Sequence, residues 1–193
     1  AAEQSVARCI DVAENLMSQE SIDAVVIAAV DLSGSAEHVL LKNSVTPVAL
    51  NPNDTGSQEN GWKVGEGAGA VVLVDKVHAE TTQCQAYGEI SALAFGPSSR
   101  ENSVTDQLLT RVGISSNEIS LLELNEAAEN QTVTQLPSTL TSATPIIASE
   151  RVGHCSSASG MASLIHGLLN LNGQASAHGS SHANPLKRAV VAN

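Results

Sequence analysis

Residues 65–74 read Gly-Glu-Gly-Ala-Gly-Ala-Val-Val-Leu-Val, three alternating glycines that lead into a β-branched run. The glycines can be fitted to the GxGxxG/A dinucleotide pattern, but that pattern requires a helix directly after them. Val71, Val72 and Val74 favour a strand instead. Glycines at the start of a buried strand allow another backbone to approach closely. The stretch therefore predicts a buried strand from residue 70, and the nucleotide-binding interpretation is set aside.

Upstream of this stretch, two segments predict a helix followed by a second buried strand. Apolar residues recur at helical spacing over residues 5–18, which predicts an amphipathic helix. Residues 24–30 (AVVIAAV) are apolar without polar alternation. Such a run is typical of a strand buried on both faces, as in a parallel sheet covered by helices.

Downstream, apolar segments alternate between strand-like and helix-like patterns. The expected strands are residues 86–95, 119–124, 144–148 and 189–192, and the expected helices are residues 103–111 and 158–171. Gly113 follows the first of these helices as a natural C-terminal cap. Alternating strands and helices indicate a layered α/β fold.

Composition excludes several classes of function. The chain has 193 residues, nine Lys plus Arg, twenty Asp plus Glu, and a net charge of −11, so a binder of the nucleic-acid backbone is not expected. The longest apolar run, residues 24–30, is far short of the ~20 residues that span a bilayer. The first residues, AAEQ, do not predict a signal peptide. Three widely spaced cysteines argue against a disulfide framework and for a reducing, cytoplasmic location.

A histidine near the C-terminus lies in a setting that suits chemistry. Residues 152–161 read VGHCSSASGM, so His154 lies in a loop of small residues before an apolar helix. An imidazole there can donate a hydrogen bond toward a developing oxyanion. The six histidines lack the short paired spacing of a zinc site, so no bound metal is expected.

Three segments in this order resemble β-ketoacyl synthase domains. They are residues 23–32 (DAVVIAAVDL), 61–73 (GWKVGEGAGAVVL) and 152–164 (VGHCSSASGMASL). The resemblance implies a thiolase-like layered α/β/α fold with a buried mixed sheet. It covers residues 1–193 as roughly the second half, the C-terminal part, of one ketosynthase-type domain. Gly65, Glu66, Gly67, Gly69, Gly153 and Gly160 are the structural positions of its motifs.

The active residues of the family are mostly replaced in this sequence. Active members use a nucleophilic Cys, two histidines and a lysine, and only His154 is retained, as the second histidine. The resemblance puts Gln4 at the nucleophile position, Asn125 at the first-histidine position and Ser149 at the lysine position. A carboxamide cannot do a histidine's acid–base work, and glutamine does not replace a thiolate.

This loss of chemistry resembles a chain-length factor, the ketosynthase-like partner of an active ketosynthase. The closest type is found in bacterial polyunsaturated fatty acid and polyketide synthases. The resemblance implies part of an acyltransferase system, in which this domain lacks condensing activity, forms a pseudo-symmetric dimer with an active ketosynthase and shapes the acyl tunnel. It implies no bound cofactor, and phosphopantetheine-linked acyl substrates delivered by an acyl carrier protein.

Three alternatives stay open at the level of sequence. The first is a competent β-ketoacyl-[acyl carrier protein] synthase whose nucleophilic Cys lies outside residues 1–193, although this would not restore Asn125 or Ser149. The second is a decarboxylase that uses glutamine at the nucleophile position without condensing. The third is a binding module of an unrelated fold, which the order of the two glycine-rich motifs argues against.

Overall fold

The computed structural model describes residues 4–19, 22–32, 36–44, 63–84, 86–95, 101–124, 140, 142–173 and 189–192. The helices in these ranges are α1 (Ser5–Gln19), α2 (Ala36–Asn43), α3 (Lys76–Thr81), α4 (Glu101–Val112), α5 (Ser149–Val152) and α6 (Ser159–Leu171). The strands are β1 (Ala24–Asp31), β2 (Gly67–Val74), β3 (Leu121–Leu124), β4 (Thr144–Ile147) and β5 (Ala189–Ala192). Helices and strands alternate as the sequence predicts.

The first sheet is an antiparallel pair formed by β1 and β2. Ala24 pairs with Val74, and the register continues to Asp31 opposite Gly67. The expectation of a parallel strand buried on both faces is therefore wrong for β1, and β2, which was also expected to be buried, is exposed on one face. Val26 and its partner Val72 lie on an outer face and are 67% and 61% exposed, whereas Ile27 on the opposite face is buried.

The second sheet is parallel, and its strand order is β4-β3-β5. Leu121 lies opposite both Thr144 and Ala189, so β3 is the central strand. Parallel strands need crossover connections rather than tight turns, and α5 and α6 lie in the connection between β4 and β5. The antiparallel pair and this parallel sheet together give the mixed strand content that the sequence predicts.

Helix α6 contacts both sheets and lies between them. It touches β2 of the first sheet and both β3 and β5 of the second, and it also packs against α1. Val6 and Ile10 of α1 bury their side chains with Ile27 and Met161 in one apolar core. A second core lies around Leu122 of β3. This arrangement brings the start of α1 and the loop before α6 to the same end of the first sheet.

Four segments differ from the secondary structure that the sequence predicts. Residues 86–95 form no strand, although a strand was expected. Two of their carbonyl groups accept hydrogen bonds from side chains, Leu93 from Arg111 and Tyr87 from Asn172, so they are not paired as in a sheet. Helices α2, α3 and α5 were not anticipated, because segments this short carry little periodic signal. No helix in the described ranges is long and apolar enough to cross a membrane.

Candidate functional site

The loop that carries His154 is joined to the glycine-rich stretch by backbone hydrogen bonds. The His154 amide donates to the Lys63 carbonyl at 2.8 Å, and the Gly65 amide donates to the His154 carbonyl at 3.1 Å. Val64 and His154 thereby form an isolated parallel bridge. The two motifs that the sequence singled out are therefore in direct contact.

Small residues make this contact possible. A Cβ atom built on Gly67 would lie 3.2 Å from the Cys155 Sγ, and one on Gly69 would lie 2.8 Å from the Met161 Cγ. Gly153 adopts a φ of 75°, in the left-handed region that favours glycine, and Gly160 is buried within α6. These glycines allow β2 to pack closely against the His154 loop and α6.

The His154 imidazole is buried and its orientation is fixed. The residue is 2% exposed, and its Nδ1 accepts a hydrogen bond from the Ser156 amide at 3.2 Å. An Nδ1 that accepts a hydrogen bond leaves the ring proton of a neutral imidazole on Nε2. The ring is thus arranged to donate from Nε2, which is the capability expected of it from the sequence.

Cys155, the neighbour of this histidine, is a packed thiol. Its Sγ lies 3.7 Å from the Gly153 carbonyl oxygen, and the residue is buried. Burial, followed by the negative charges of Asp31 and Glu66, raises the pKa of Cys155 above its ordinary value of 9.0. A thiol that stays protonated is a poor nucleophile.

Asp31, the last residue of β1, fixes the turn that follows His154. Its Oδ2 accepts hydrogen bonds from the Ser157 amide, at 2.9 Å, and from the Ser157 hydroxyl. The Ser157 carbonyl in turn accepts a hydrogen bond from the Ser5 hydroxyl at 3.3 Å. Through these contacts β1, the His154 loop and the first turn of α1 meet at one place.

The other predicted site residues are placed as follows. Gln4 immediately precedes α1, and its carbonyl accepts the first hydrogen bond of the helix from the Arg8 amide at 3.0 Å. It therefore lies one residue from the Ser5–Ser157 contact. Ser149 is the first residue of α5. Asn125 lies outside the described residues.

The arrangement supplies an oriented hydrogen-bond donor without an activated nucleophile among the described residues. At the start of α1 the chain offers a carboxamide and a hydroxyl, and the thiol of Cys155 is buried. In the same part of the chain, no three ligating side chains converge as a metal would require. These groups do not supply a thiolate for covalent catalysis.

Sequence reasoning missed two features near the site. One is the hydrogen bonding of Asp31 to Ser157, and the other is a buried contact between Glu123 and His166. Nothing in the sequence pairs Asp31 with Ser157, because 126 positions separate them. Nothing in the sequence pairs Glu123 with His166, because 43 positions separate them.

Comparison with known proteins points to one class. No family model matches the sequence. The chain is 31% identical over 124 residues, 63% of its length, to a polyunsaturated fatty acid synthase polypeptide of Thraustochytrium sp., of which it covers 6%. It is similar in structure to the PfaC keto synthase-chain length factor, with a TM-score of 0.76 and 35% identity. The match covers 98% of this chain and 20% of that chain.

More distant solved structures support the fold alone. A ketosynthase from module 6 of the bacillaene synthase of Bacillus subtilis 168 has a TM-score of 0.71 at 19% identity, over 89% of this chain and 34% of that one. The ketosynthase of a type II polyketide synthase, solved with its acyl-carrier protein and bound to the hexaketide, has a TM-score of 0.69 at 11% identity. The match covers 84% of this chain and 46% of that one.

These matches extend over most of this chain, whereas the chain spans less than half the length of each of these relatives. The layered α/β fold, the contact between the GEGAG and GH segments and the matches agree with one another. The expected resemblance to the ketosynthase–chain-length-factor proteins of polyunsaturated fatty acid synthases is confirmed, and the chain has the thiolase-like fold of ketosynthases.

Proposed function

We propose that this chain is part of a non-condensing, chain-length-factor domain of a polyunsaturated fatty acid or polyketide synthase. The observation that carries the proposal is the start of α1. The resemblance puts Gln4 there at the nucleophile position, and Cys155, the thiol beside His154, is buried with a raised pKa. A condensing enzyme needs an activated thiolate at that place.

In this role the domain pairs with an active ketosynthase and shapes the tunnel that holds the acyl chain. The substrates are acyl groups on the phosphopantetheine of an acyl carrier protein, and no resident cofactor is required. Two similarities support these partners. PfaC is named as a keto synthase-chain length factor, and a polyketide ketosynthase was solved with its acyl-carrier protein. A cytoplasmic location belongs to the same proposal.

His154 then serves as a fixed hydrogen-bond donor rather than as one member of a catalytic set. Its Nδ1 accepts a hydrogen bond from the Ser156 amide, so in this role the donor is the Nε2–H group. The Asn125 and Ser149 positions supply no imidazole and no ammonium group. The domain therefore binds and orients acyl chains while its partner forms the carbon–carbon bond.

Acyl loading tests this function directly. The complete protein would be incubated with a radiolabelled acyl-carrier thioester, with the nucleophilic Cys of the partner ketosynthase either intact or changed to Ala. Apart from the carrier protein itself, we expect label on the partner Cys alone, and no label on either domain of the pair when that Cys is Ala. Condensation should be lost together with the label.

The matched variants are Gln4→Ala and Cys155→Ala. Neither should abolish loading of the partner, because neither group forms the thioester. Stable label mapped to a cysteine of this domain would overturn the proposal and would favour a competent synthase. Condensation that persists after removal of the partner Cys would have the same meaning.

A further inference from the structure

Glu123 is a fully buried carboxylate, and each of its two oxygens makes a polar contact. It lies in β3 and is 0% exposed. Its Oε1 accepts a hydrogen bond from the Ala148 amide at 2.8 Å, and its Oε2 lies 2.7 Å from the His166 Nδ1. Buried carboxylates are rare unless they are paired, so these two contacts are the reason that the group is tolerated.

The contact with Glu123 bears on which nitrogen of the His166 ring carries the proton. When Glu123 is ionised, the His166 Nδ1 carries the proton and donates it to the carboxylate, since an ionised carboxylate can only accept. The Nε2 of His166 is buried without a hydrogen-bond partner among the described residues, and the Ser163 hydroxyl, one helical turn earlier on α6, lowers the pKa of the Glu123 carboxyl. The polar contacts of this cluster are thus concentrated on Glu123.

The Ala148 amide connects the pair to the turn that ends at His154. Ala148 directly precedes α5, and its carbonyl accepts hydrogen bonds from the Arg151 and Val152 amides at 3.0 and 3.1 Å. The Ser149 carbonyl accepts the next bond, from the Gly153 amide at 2.9 Å. His154 follows immediately, so a short continuous path runs from Glu123 through α5 to the imidazole.

We infer that Glu123 and His166 are positioning residues for His154. His166 holds the Glu123 carboxylate in place from α6, and Glu123 holds the first residue of the α5 turn. The α5 turn then determines where the His154 backbone makes its hydrogen bonds with Lys63 and Gly65. The inference goes beyond the proposed function, because it states how the imidazole is held and not which reaction surrounds it.

Hydrogen exchange of the complete protein, followed by mass spectrometry of peptides covering residues 145–158, tests this inference. In Glu123→Ala and His166→Ala, we expect the amides of residues 148–154 to exchange about tenfold faster or more, since each variant removes a buried hydrogen bond. Diethyl pyrocarbonate, which modifies accessible imidazoles, should then react with His154, which is protected in the wild type. Exchange in β1 should not change.

Conservative variants separate positioning from bulk packing. Glu123→Gln keeps an acceptor for the Ala148 amide, and His166→Asn keeps a donor near the Nδ1 position, so both should restore most of the protection of residues 148–154. Leu164→Ala is the control, because this side chain of α6 carries no polar group and packs against the core formed by α1, Ile27 and Met161. It should leave His154 unreactive.

Two results would overturn the inference. One is unchanged exchange and reactivity at His154 in Glu123→Ala and His166→Ala. The other is an increase spread evenly over the chain, as expected for a core variant such as Leu109→Ala, whose buried side chain belongs to a different cluster. If the alanine variants do not fold, the same exchange and modification measurements are made on Glu123→Gln, which keeps the acceptor, and on His166→Phe, which removes the donor. Faster exchange of residues 148–154 in His166→Phe than in Glu123→Gln supports the inference, and equal exchange in the two variants overturns it.

Discussion

Gly65 and Gly153 lie so close that neither position has room for a Cβ atom. A Cβ on Gly65 would lie 2.4 Å from the Val152 carbonyl oxygen, and one on Gly153 would lie 2.9 Å from the Gly65 Cα. Both neighbouring atoms belong to the backbone, so no side-chain rotation can relieve the overlap. The GEGAG and GH segments are therefore two halves of one contact.

Alanine at either glycine should destabilise the protein. Gly65→Ala introduces an overlap with the backbone, which we expect to cost about 1–3 kcal/mol of unfolding free energy. Gly153→Ala adds the strain of a φ of 75°, which costs roughly a further 1–2 kcal/mol. Urea titration of the complete protein, compared with the wild type, measures both values.

Gly113 provides the matched control for the backbone strain. Its φ is 72°, and a Cβ there would have nothing within 4 Å, so Gly113→Ala carries the strain without the overlap. We expect Gly153→Ala to cost more than Gly113→Ala, because it adds the overlap and because a ψ of 177° at this φ is open essentially to glycine alone. Equal costs for the two variants would show that the close approach of the two segments is not needed for stability.

The sequence analysis located these two segments because their signal is local. Alternating glycines before a valine run predict a strand that is closely approached, and β2 confirms this, although it begins at Gly67 rather than at residue 70. The helices expected at residues 5–18 and 158–171 correspond to α1 and α6, and β5 covers residues 189–192 as predicted. Periodicity and glycine placement depend only on neighbouring residues.

The sequence does not predict which strands pair with each other or which distant polar residues are in contact. An apolar run such as β1 does not reveal whether its neighbour is parallel, and it pairs antiparallel with β2. The same holds for the site. His154 was found through the small residues around it, whereas Asp31 and Ser157 meet across 126 positions. Contacts between distant polar residues leave no periodic trace in one sequence.

The Asp31–Ser157 contact should contribute measurably to stability. Asp31→Ala removes the acceptor of both the Ser157 amide and its hydroxyl, and we expect a loss of about 1–3 kcal/mol because hydrogen bonds to a charged group are strong. Asp31→Asn keeps one acceptor oxygen and should lose less. Urea titration of both variants gives the values.

Asp23 is the control for this prediction. It also flanks β1, but its side chain is 69% exposed and lies 3.7 Å from the His78 Nδ1. Asp23→Ala should change stability by no more than about 0.5 kcal/mol. A loss for Asp31→Ala as small as that would mean that the turn after His154 is held by its backbone alone.

The three cysteines should differ in their reaction with iodoacetamide. Cys9 and Cys84 are exposed, whereas Cys155 is buried and its pKa is raised above 9.0 by burial and by the nearby carboxylates of Asp31 and Glu66. Alkylation needs the thiolate. At about pH 8 we therefore expect Cys155 to stay unmodified in the folded protein, as measured by mass spectrometry of its peptide.

The denatured chain is the reference for this measurement, and all three cysteines should react in it. Rapid modification of Cys155 in the folded protein would show that this thiol is accessible and partly ionised. It would then have to be considered as a nucleophile beside His154, against the non-condensing role.

The last prediction concerns the pH dependence that Glu123 imposes on folding. Burial raises the pKa of Glu123 above its ordinary value of 4.5, although the Ala148 amide and His166 partly offset the increase. The folded protein therefore binds this proton more tightly than the unfolded chain does. Stability from this group is fully present below about pH 4.5 and is lost as the pH rises through the raised pKa.

The Gln side chain of the Glu123→Gln variant cannot ionise, so this variant should not lose stability in this way as the pH rises. Its stability relative to the wild type should therefore increase as the pH rises above about 4.5 and through the raised pKa of the buried carboxyl. Glu150→Gln, on the exposed surface of α5, should show no such trend. Urea titrations across this range measure the difference, and a relative stability of Glu123→Gln that falls with rising pH would mean that Ala148 and His166 more than compensate for burial of the carboxylate.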